Sequence, residues 1–132
     1  MARRQFAIQS GAGRAADVFP RRIEIDGSTL ELYPGGRTKR GEAKFRALWS
    51  SGRLSGDGLV ELRPQSKATS LLTLSLQGPR GVGRIFAPRV LSRMSEQFGL
   101  ALQYEIETRA DEETDPFTAR RTTAELVRQR SA

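Results

Sequence analysis

The chain has 132 residues, with 22 Lys or Arg against 15 Asp or Glu and a formal net charge of +7. It contains no cysteine and no histidine, which excludes a disulfide framework, a thiolate metal site and the side chain that most often acts as a general base. No apolar run approaches the length of a membrane span. Gln9, Ser10 and Arg14 interrupt the segment where an export signal requires an apolar core, so we expect a cytoplasmic protein.

The first strands are predicted near the N-terminus. Residues 5–8 have the length of a short edge strand. Residues 21–33 consist of two alternating segments on either side of Asp26–Gly27, a pair typical of a two-residue hairpin turn. This turn pairs Ile23 with Leu30 and places the apolar residues of both strands on one face, whereas one more loop residue would mix the faces. We therefore predict a tight β-hairpin.

The middle of the chain is predicted to alternate loops with short elements. Residues 9–17 are rich in Gly and Ala, and residues 34–41 in Gly and basic side chains, so both segments are predicted to be loops. Residues 42–49 are predicted to form a short helix with its aromatic side chains facing inward, and residues 50–58 a further loop. A strand over residues 59–63 is expected to continue through a hairpin into the next strand.

That next strand is predicted to open a strand–helix–strand unit. Alternating apolar residues predict strands over residues 72–76 and 100–106. Between them lie the glycine-rich loop 78–84 and a helix in which Pro88 is the first residue and Gly99 the residue just after the end. Two strands joined by a helix most simply form a right-handed βαβ unit.

Most of the predicted strands have a single apolar face. Such strands favour an α+β fold with a mixed, mainly antiparallel sheet and helices packed on one face. We predict that residues 1–107 form this compact domain. After it the composition becomes acidic and then favours a helix over residues 117–129, so residues 108–132 are predicted to be an acidic linker with a C-terminal helix or tail.

Positive charge is concentrated in residues 1–100, which carry 17 basic and 8 acidic side chains. Two segments, 35–46 and 78–93, each combine a glycine-containing basic loop with the predicted start of a helix, an arrangement that can bind phosphate. The glycine spacing of residues 78–84 matches neither a P-loop nor a dinucleotide-binding motif. Gly36 and Gly41 have the spacing of a P-loop, but Glu42 stands where a P-loop requires lysine. The predicted nucleic-acid-binding residues are Arg37, Lys39, Arg40, Lys44, Arg46, Arg80, Arg84, Arg89 and Arg93.

These features predict a non-enzymatic module that contacts the phosphate backbone of DNA or RNA through basic loops and a helix N-terminus. The alternative is a protein-interaction subunit of a larger assembly that uses the sheet face and the C-terminal helix. Two simpler explanations stay open: the loops are solvated connections, and the 19 arginines among the 22 basic residues reflect a GC-rich genome. No catalytic residue, metal site, cofactor or membrane contact is predicted. Asp57, Glu61 and Arg63 weakly resemble the acidic and basic residues of a nuclease site, but their spacing is short and an arginine stands in place of the lysine. Glu61 and Arg63 also fit the solvated face of a strand, where carboxylates ordinarily have no catalytic role.

Overall fold

The structure is a computed structural model that describes residues 2–78 and 88–114. It contains two helices and six strands in the described ranges. In chain order these elements are β1 (Ala2–Ile8), α1 (Ala12–Asp17), β2 (Arg22–Ile25), β3 (Ser28–Arg37), β4 (Ala43–Ser51), β5 (Leu54–Pro64), β6 (Ser70–Leu76) and α2 (Pro88–Thr114).

The strands form one sheet in the order β1-β6-β5-β4-β3-β2, and each neighbouring pair of described strands is antiparallel. Helix α2 packs along β1 and also contacts β2, the strand at the opposite edge. Six strands about 4.8 Å apart span more than twice the width of a helix. A single helix reaches both edge strands only because the sheet curls around it. The predicted α+β fold with helices on one face is confirmed, but the sheet has none of the expected parallel pairing in the described part of the chain.

The predicted hairpin is confirmed in its register. Ile23 pairs with Leu30, and Asp26 and Gly27 form a two-residue turn between β2 and β3. Both turn residues have positive φ, 46° at Asp26 and 79° at Gly27, the left-handed conformation that a type I′ turn requires. Tertiary packing does not override this segment because its turn and its apolar pattern favour the same register. The edge strand expected at residues 5–8 is also confirmed, as part of β1.

The helix predicted over residues 42–49 is wrong, because this segment is strand β4. Its buried and exposed residues alternate: Phe45 and Trp49 face the core, whereas Lys44 and Arg46 face solvent. The small residues Ala43 and Ala47 occupy the two remaining inward positions, which made the period of two hard to recognise. Leu48, expected to face inward, lies on the exposed face.

The three segments predicted as loops before residue 59 all contain regular structure, and residues 34–37 of the second one belong to β3. Residues 9–17 include helix α1, whose three buried alanines pack against the core. The segment 50–58 is shortened to a turn at Gly52–Arg53, since β5 begins at Leu54. Within β5, a Cβ on Gly56 would lie 2.5 Å from Nε1 of Trp49, so the glycine makes room for the indole ring.

The strand predicted over residues 100–106 is wrong, and with it the βαβ unit. Helix α2 continues through Gly99 to Thr114. Its buried side chains follow one stripe of helical period, formed by Leu91, Met94, Phe98, Leu102, Ile106 and Ala110. Gly99 lies on the packed side of the helix, where the ring of Phe6 occupies the space that a Cβ would fill.

Three features bear on the remaining predictions. Helix α2 crosses the predicted domain boundary at residue 107. Most of the predicted second segment, residues 108–132, lies outside the described residues. The division into two segments therefore stays a prediction. The predicted loop 78–84, beyond Gly78, and the predicted helix 117–129 also lie outside them. No described helix is long and apolar enough to cross a membrane.

Candidate functional site

The structure does not gather the residues predicted to bind nucleic acid. Arg37, Lys39 and Arg40 lie at the end of β3 and in the β3–β4 loop (residues 38–42), next to α1. Helix α2 begins at the other end of the strands, where Arg4, near the start of β1, donates a hydrogen bond to Ser92. Arg89 and Arg93 are exposed at that end of α2.

The other predicted residues do not connect these two groups. Lys44 and Arg46 are exposed on the outer face of β4, on the side of the sheet away from α2. Arg80 and Arg84 lie outside the described residues. Arg37 forms an ion pair with Asp17 of α1 at 2.7 Å. The predicted interface required both basic segments on one side of the molecule, and the described residues are divided between two ends and an outer face.

A pocket of about 520 Å³ lies beside α1, at the end of the sheet where β1 ends. We call it the end pocket. Its walls come from the β1–α1 junction, the β3–β4 loop, the β5–β6 loop (residues 65–69) and α2. The lining residues are Gln9, Ser10, Gly11, Ala12, Gly13, Arg14, Arg40, Gly41, Pro64, Ser66, Lys67, Ala68, Ala110 and Asp111.

Two close contacts hold the β1–α1 junction against the sheet. The buried hydroxyl of Ser70, at the start of β6, donates a hydrogen bond to the carbonyl oxygen of Ser10 at 2.8 Å. At the next residue a Cβ would lie 2.6 Å from the carbonyl oxygen of Lys67, so only Gly11 allows the β5–β6 loop to approach so closely. This wall of the end pocket is therefore set by direct contact between two segments.

Internal hydrogen bonds stabilise both loops of the end pocket. In the β5–β6 loop the backbone N–H groups of Gln65 and Ser66 donate to the carbonyl oxygen of Thr69 at 3.1 Å, and the hydroxyls of Ser66 and Thr69 are 2.7 Å apart. In the β3–β4 loop the N–H of Thr38 donates to the carbonyl oxygen of Glu42 at 2.8 Å. Both loops are thus folded back on themselves by hydrogen bonds of their own.

Arg14 is partly buried between α1 and α2. Its Nη2 donates to the carbonyl oxygen of Ala110 at 3.3 Å, which ties α1 to α2. Its Nε is buried and has no hydrogen-bond partner. A buried guanidinium N–H without an acceptor is unfavourable, because it has lost its hydration without replacement. This donor identifies Arg14 as the polar group of the pocket that lacks a partner within the described residues.

The charges that line the end pocket are unequal. Arg14, Arg40 and Lys67 are positive, and Asp111 is the one carboxylate among the lining residues. Neither Arg40 nor Lys67 forms an ion pair within residues 2–78 and 88–111. No cluster of His, Cys, Asp and Glu able to hold a metal ion occurs in the described part of the chain. The arrangement can bind an anion by charge and hydrogen bonding.

A smaller hollow of about 250 Å³ lies on the outer face of the sheet, against Tyr33, Arg46 and Leu48. The hydroxyl of Tyr33 donates to Oε2 of Glu31 at 2.6 Å. This hydrogen bond and the negative charge of Glu31 raise the pKa of Tyr33 above its usual value. The hollow has an apolar side chain beside a cation, and its described lining shows no buried polar group without a partner.

Sequence reasoning selected only Arg40 among the cations of the end pocket. Arg14 was placed in a loop and Lys67 in a link between strands. Neither residue belongs to a motif, and Arg14, Arg40 and Lys67 are separated by more than twenty residues from one another. No feature of the sequence indicates that they line one pocket, because their proximity results from the antiparallel pairing of β3 to β6.

No protein-family model and no curated protein matches the chain. Solved structures do match in fold. A START superfamily protein from Mycobacterium smegmatis aligns with a TM-score of 0.52 and 8% identity over 84% of this chain and 97% of that one. A conserved protein from Geobacillus kaustophilus aligns with a TM-score of 0.53 and 9% identity over 83% of this chain and 94% of that one. The Zhui aromatase/cyclase from Streptomyces sp. R1128 aligns with a TM-score of 0.43 and 12% identity over 86% of this chain and 94% of that one.

The chain therefore has a START-like fold, in which a curled antiparallel sheet holds one long helix. The prediction of a nucleic-acid-binding module is wrong. The fold is shared with a START superfamily protein and not with a nucleic-acid-binding domain, and the described basic residues do not form one surface. A protein partner for the segment after residue 114 stays a prediction, since that segment lies outside the described residues.

Proposed function

We propose that the protein is a small-molecule-binding protein, that its site is the end pocket, and that it holds its ligand without converting it. The observation that carries the proposal is the pocket itself: four segments far apart in the chain line an open pocket of about 520 Å³, and three of its lining residues are cationic. Pockets that bind small organic molecules commonly enclose roughly 300–1,000 Å³.

The lining supports an organic ligand over a bare ion. Apolar atoms of Ala12, Pro64, Ala68 and Ala110 share the pocket with the charged side chains. Ligand sites typically combine apolar walls with a few polar groups that set orientation. The hydrogen-bonded loops also favour binding, because less conformational entropy is lost when a site is already formed.

The absence of a catalytic step is part of the proposal and follows from composition. The chain has no histidine and no cysteine, and the end pocket combines three cations with a single carboxylate, Asp111. Such a set offers charge stabilisation but no paired acid and base. A cytoplasmic location also belongs to the proposal, and it rests on the sequence.

Filling the end pocket tests the proposal. Ala68 is exposed at the pocket wall and its side chain contributes little to the core, so Ala68→Trp places an indole in the cavity while the three cations remain. Ala7→Trp, at an exposed position on β1 outside the pocket, is the matched control. The probes are naphthol, naphthoate and naphthylamine, with octanol, octanoate and octylamine as aliphatic counterparts, and binding is measured by ligand-observed NMR.

We expect at least one probe to bind the wild type and the Ala7→Trp variant equally, and to bind Ala68→Trp about tenfold more weakly or not at all, a loss of about 1.4 kcal/mol or more. Circular dichroism melts establish that each variant is folded. Binding that is unchanged in Ala68→Trp would overturn the assignment of the site. No binding by any probe would overturn the proposed function.

A further inference from the structure

We infer that the ligand of the end pocket is an organic anion whose carboxylate or phosphate group is held by Arg14, Arg40 and Lys67. This inference rests on the proposed function and adds the chemical class of the ligand. It follows from three observations: a partly buried arginine in the pocket wall, an excess of positive charge, and apolar surface beside it.

Arg14 supplies the most specific of these observations. The hydrogen bond from Nη2 to the Ala110 carbonyl fixes the guanidinium plane, while Nε stays buried and without a partner. A guanidinium offers five N–H donors in a rigid fork that matches the oxygens of a carboxylate or a phosphate. Because Nε is buried, an anion in the pocket would meet Arg14 through its positive charge and through the guanidinium N–H groups other than Nε.

Arg40 and Lys67 reach the same pocket from two different loops. Three cations around one cavity repel one another, and bringing in a negative charge relieves that repulsion. Asp111 opposes an anion, and water screens its charge as it screens those of Arg40 and Lys67, because all three side chains are exposed. The lining still has three positive charges against one negative charge. Glu107, one turn away on the same helix, is occupied by a hydrogen bond from the backbone N–H of Gln9 at 2.9 Å.

The size and the apolar part of the pocket indicate an organic anion instead of inorganic phosphate. The volume of about 520 Å³ is several times that of a single phosphate or carboxylate group. An inorganic phosphate alone in the pocket would therefore be surrounded mostly by water and not by protein. The ring of Pro64 and the methyl groups of the lining alanines offer contact to a hydrocarbon portion.

The test compares probes that differ in charge and little in shape. Naphthoate is paired with naphthamide, phenyl phosphate is paired with phenol, and inorganic phosphate is measured alone, all by isothermal titration calorimetry at low ionic strength. The carboxylate and phosphate pairs show which anion is preferred. We expect the charged member of at least one pair to bind about tenfold or more tightly than its neutral partner, as for a charge-assisted contact, and inorganic phosphate to bind more weakly than phenyl phosphate.

Two double variants locate the effect. Arg40→Gln with Lys67→Gln removes two charges from the end pocket, and Arg53→Gln with Lys44→Gln removes one Arg and one Lys from exposed positions outside it. The preference for the anion should disappear in the first double variant and persist in the second. Arg14→Gln should also abolish it. If loss of the contact to Ala110 prevents Arg14→Gln from folding, as judged by circular dichroism, the comparison of the two double variants decides.

The outcomes separate this inference from the proposed function. Equal binding of naphthoate and naphthamide, with both blocked by Ala68→Trp, would overturn the anion while leaving the small-molecule site intact. An equal loss in both double variants would also overturn it, because the attraction would then come from the net charge of the protein and not from the pocket. Failure of every probe to bind would overturn both proposals.

Discussion

At Gly99 of α2 the ring of Phe6 from β1 packs directly against the helix backbone. In the sequence this glycine resembles a helix terminator. In the structure it stands inside a 27-residue helix, at the point where an aromatic side chain of the edge strand needs the space of a Cβ. The two roles differ in what a substitution does, so a mutation at Gly99 distinguishes them.

Replacing Gly99 by Ala should destabilise the protein by about 1–3 kcal/mol, because the added methyl overlaps the Phe6 ring and the packing must shift. In an ordinary helix interior the same change is stabilising by up to about 1 kcal/mol. The free energy of unfolding is measured in denaturant for Gly99→Ala, Phe6→Ala and the double variant. Together these values give the interaction energy between positions 99 and 6. In the Phe6→Ala background we expect Gly99→Ala to become stabilising. A stabilising effect with Phe6 present would contradict the contact.

Other glycines also occupy places where a neighbour leaves no room. A Cβ on Gly58 would lie 2.8 Å from the carbonyl oxygen of Ser75. The indole of Trp49, which covers Gly56, donates from Nε1 to the carbonyl oxygen of Gln77 at 2.7 Å. In each case the side chain or carbonyl that requires the glycine lies on a neighbouring strand, so the glycine alone does not reveal its role.

At the scale of elements, residues 100–106 illustrate why a period of two was mistaken for a strand. Leu100, Leu102, Tyr104 and Ile106 alternate with smaller or polar residues. In the helix this set divides in two: Leu102 and Ile106 are fully buried, whereas Leu100 and Tyr104 are 51% and 71% exposed. Residues four apart share a helical face, so both periods fit the segment. The continuous stripe from Leu91 to Ala110 decides in favour of the helix.

A proline at position 104 tests whether the backbone is helical there. Tyr104 is exposed, so the loss of its side chain should change the stability little. Tyr104→Pro should cost about 3 kcal/mol or more, since it removes a backbone hydrogen bond and its ring clashes with the preceding turn. Tyr104→Ala is the control and should change stability by less than about 0.5 kcal/mol, as expected for an exposed side chain. Both are measured by denaturant unfolding. A proline variant as stable as the alanine variant would be incompatible with a helix through residue 104.

For the molecule as a whole, α2 is the element that closes the core of the curled sheet. Its contacts extend from Arg4 at the start of β1 to Arg14 in α1, and it also packs on β2. The side of α2 that faces the sheet is apolar, and the polar links lie along its margin, where Gln103 donates to the carbonyl oxygen of Ala7 at 2.6 Å. The stability of the fold should therefore depend on the buried stripe of α2 more than on its surface.

Two leucines on α2 provide a matched comparison. Leu102 is fully buried and Leu100 is 51% exposed. We expect Leu102→Ala to cost about 2–5 kcal/mol, because it removes buried methyl groups and leaves a cavity. Leu100→Ala should cost less than about 1 kcal/mol, because it removes less buried surface. Thermal and denaturant unfolding check both. Equal losses at the two positions would contradict the orientation of α2 against the sheet.

The end pocket also belongs to the scale of the whole molecule. Its three cations come from α1, the β3–β4 loop and the β5–β6 loop, and its remaining wall from α2. The sequence predicts a basic loop at residues 35–41 but groups it with a second basic segment, whose described residues Arg89 and Arg93 lie at the opposite end of the strands. The sequence shows which residues are charged. Which of them lie close together depends on the strand order and on the direction of the long helix.

The sequence by itself determined the β2–β3 hairpin, the α+β class with helices on one face, and the lack of cysteine and histidine. These features follow from local rules, because the turn at Asp26–Gly27 and the alternation of Ile23 and Leu30 act over a few residues. Only the tertiary structure decided that residues 100–106 are helical, that the sheet curls around α2, and that Arg14 lies in a pocket with Arg40 and Lys67. Each depends on contacts between residues far apart in the chain, whose free energy outweighs the local preferences that a sequence pattern reports.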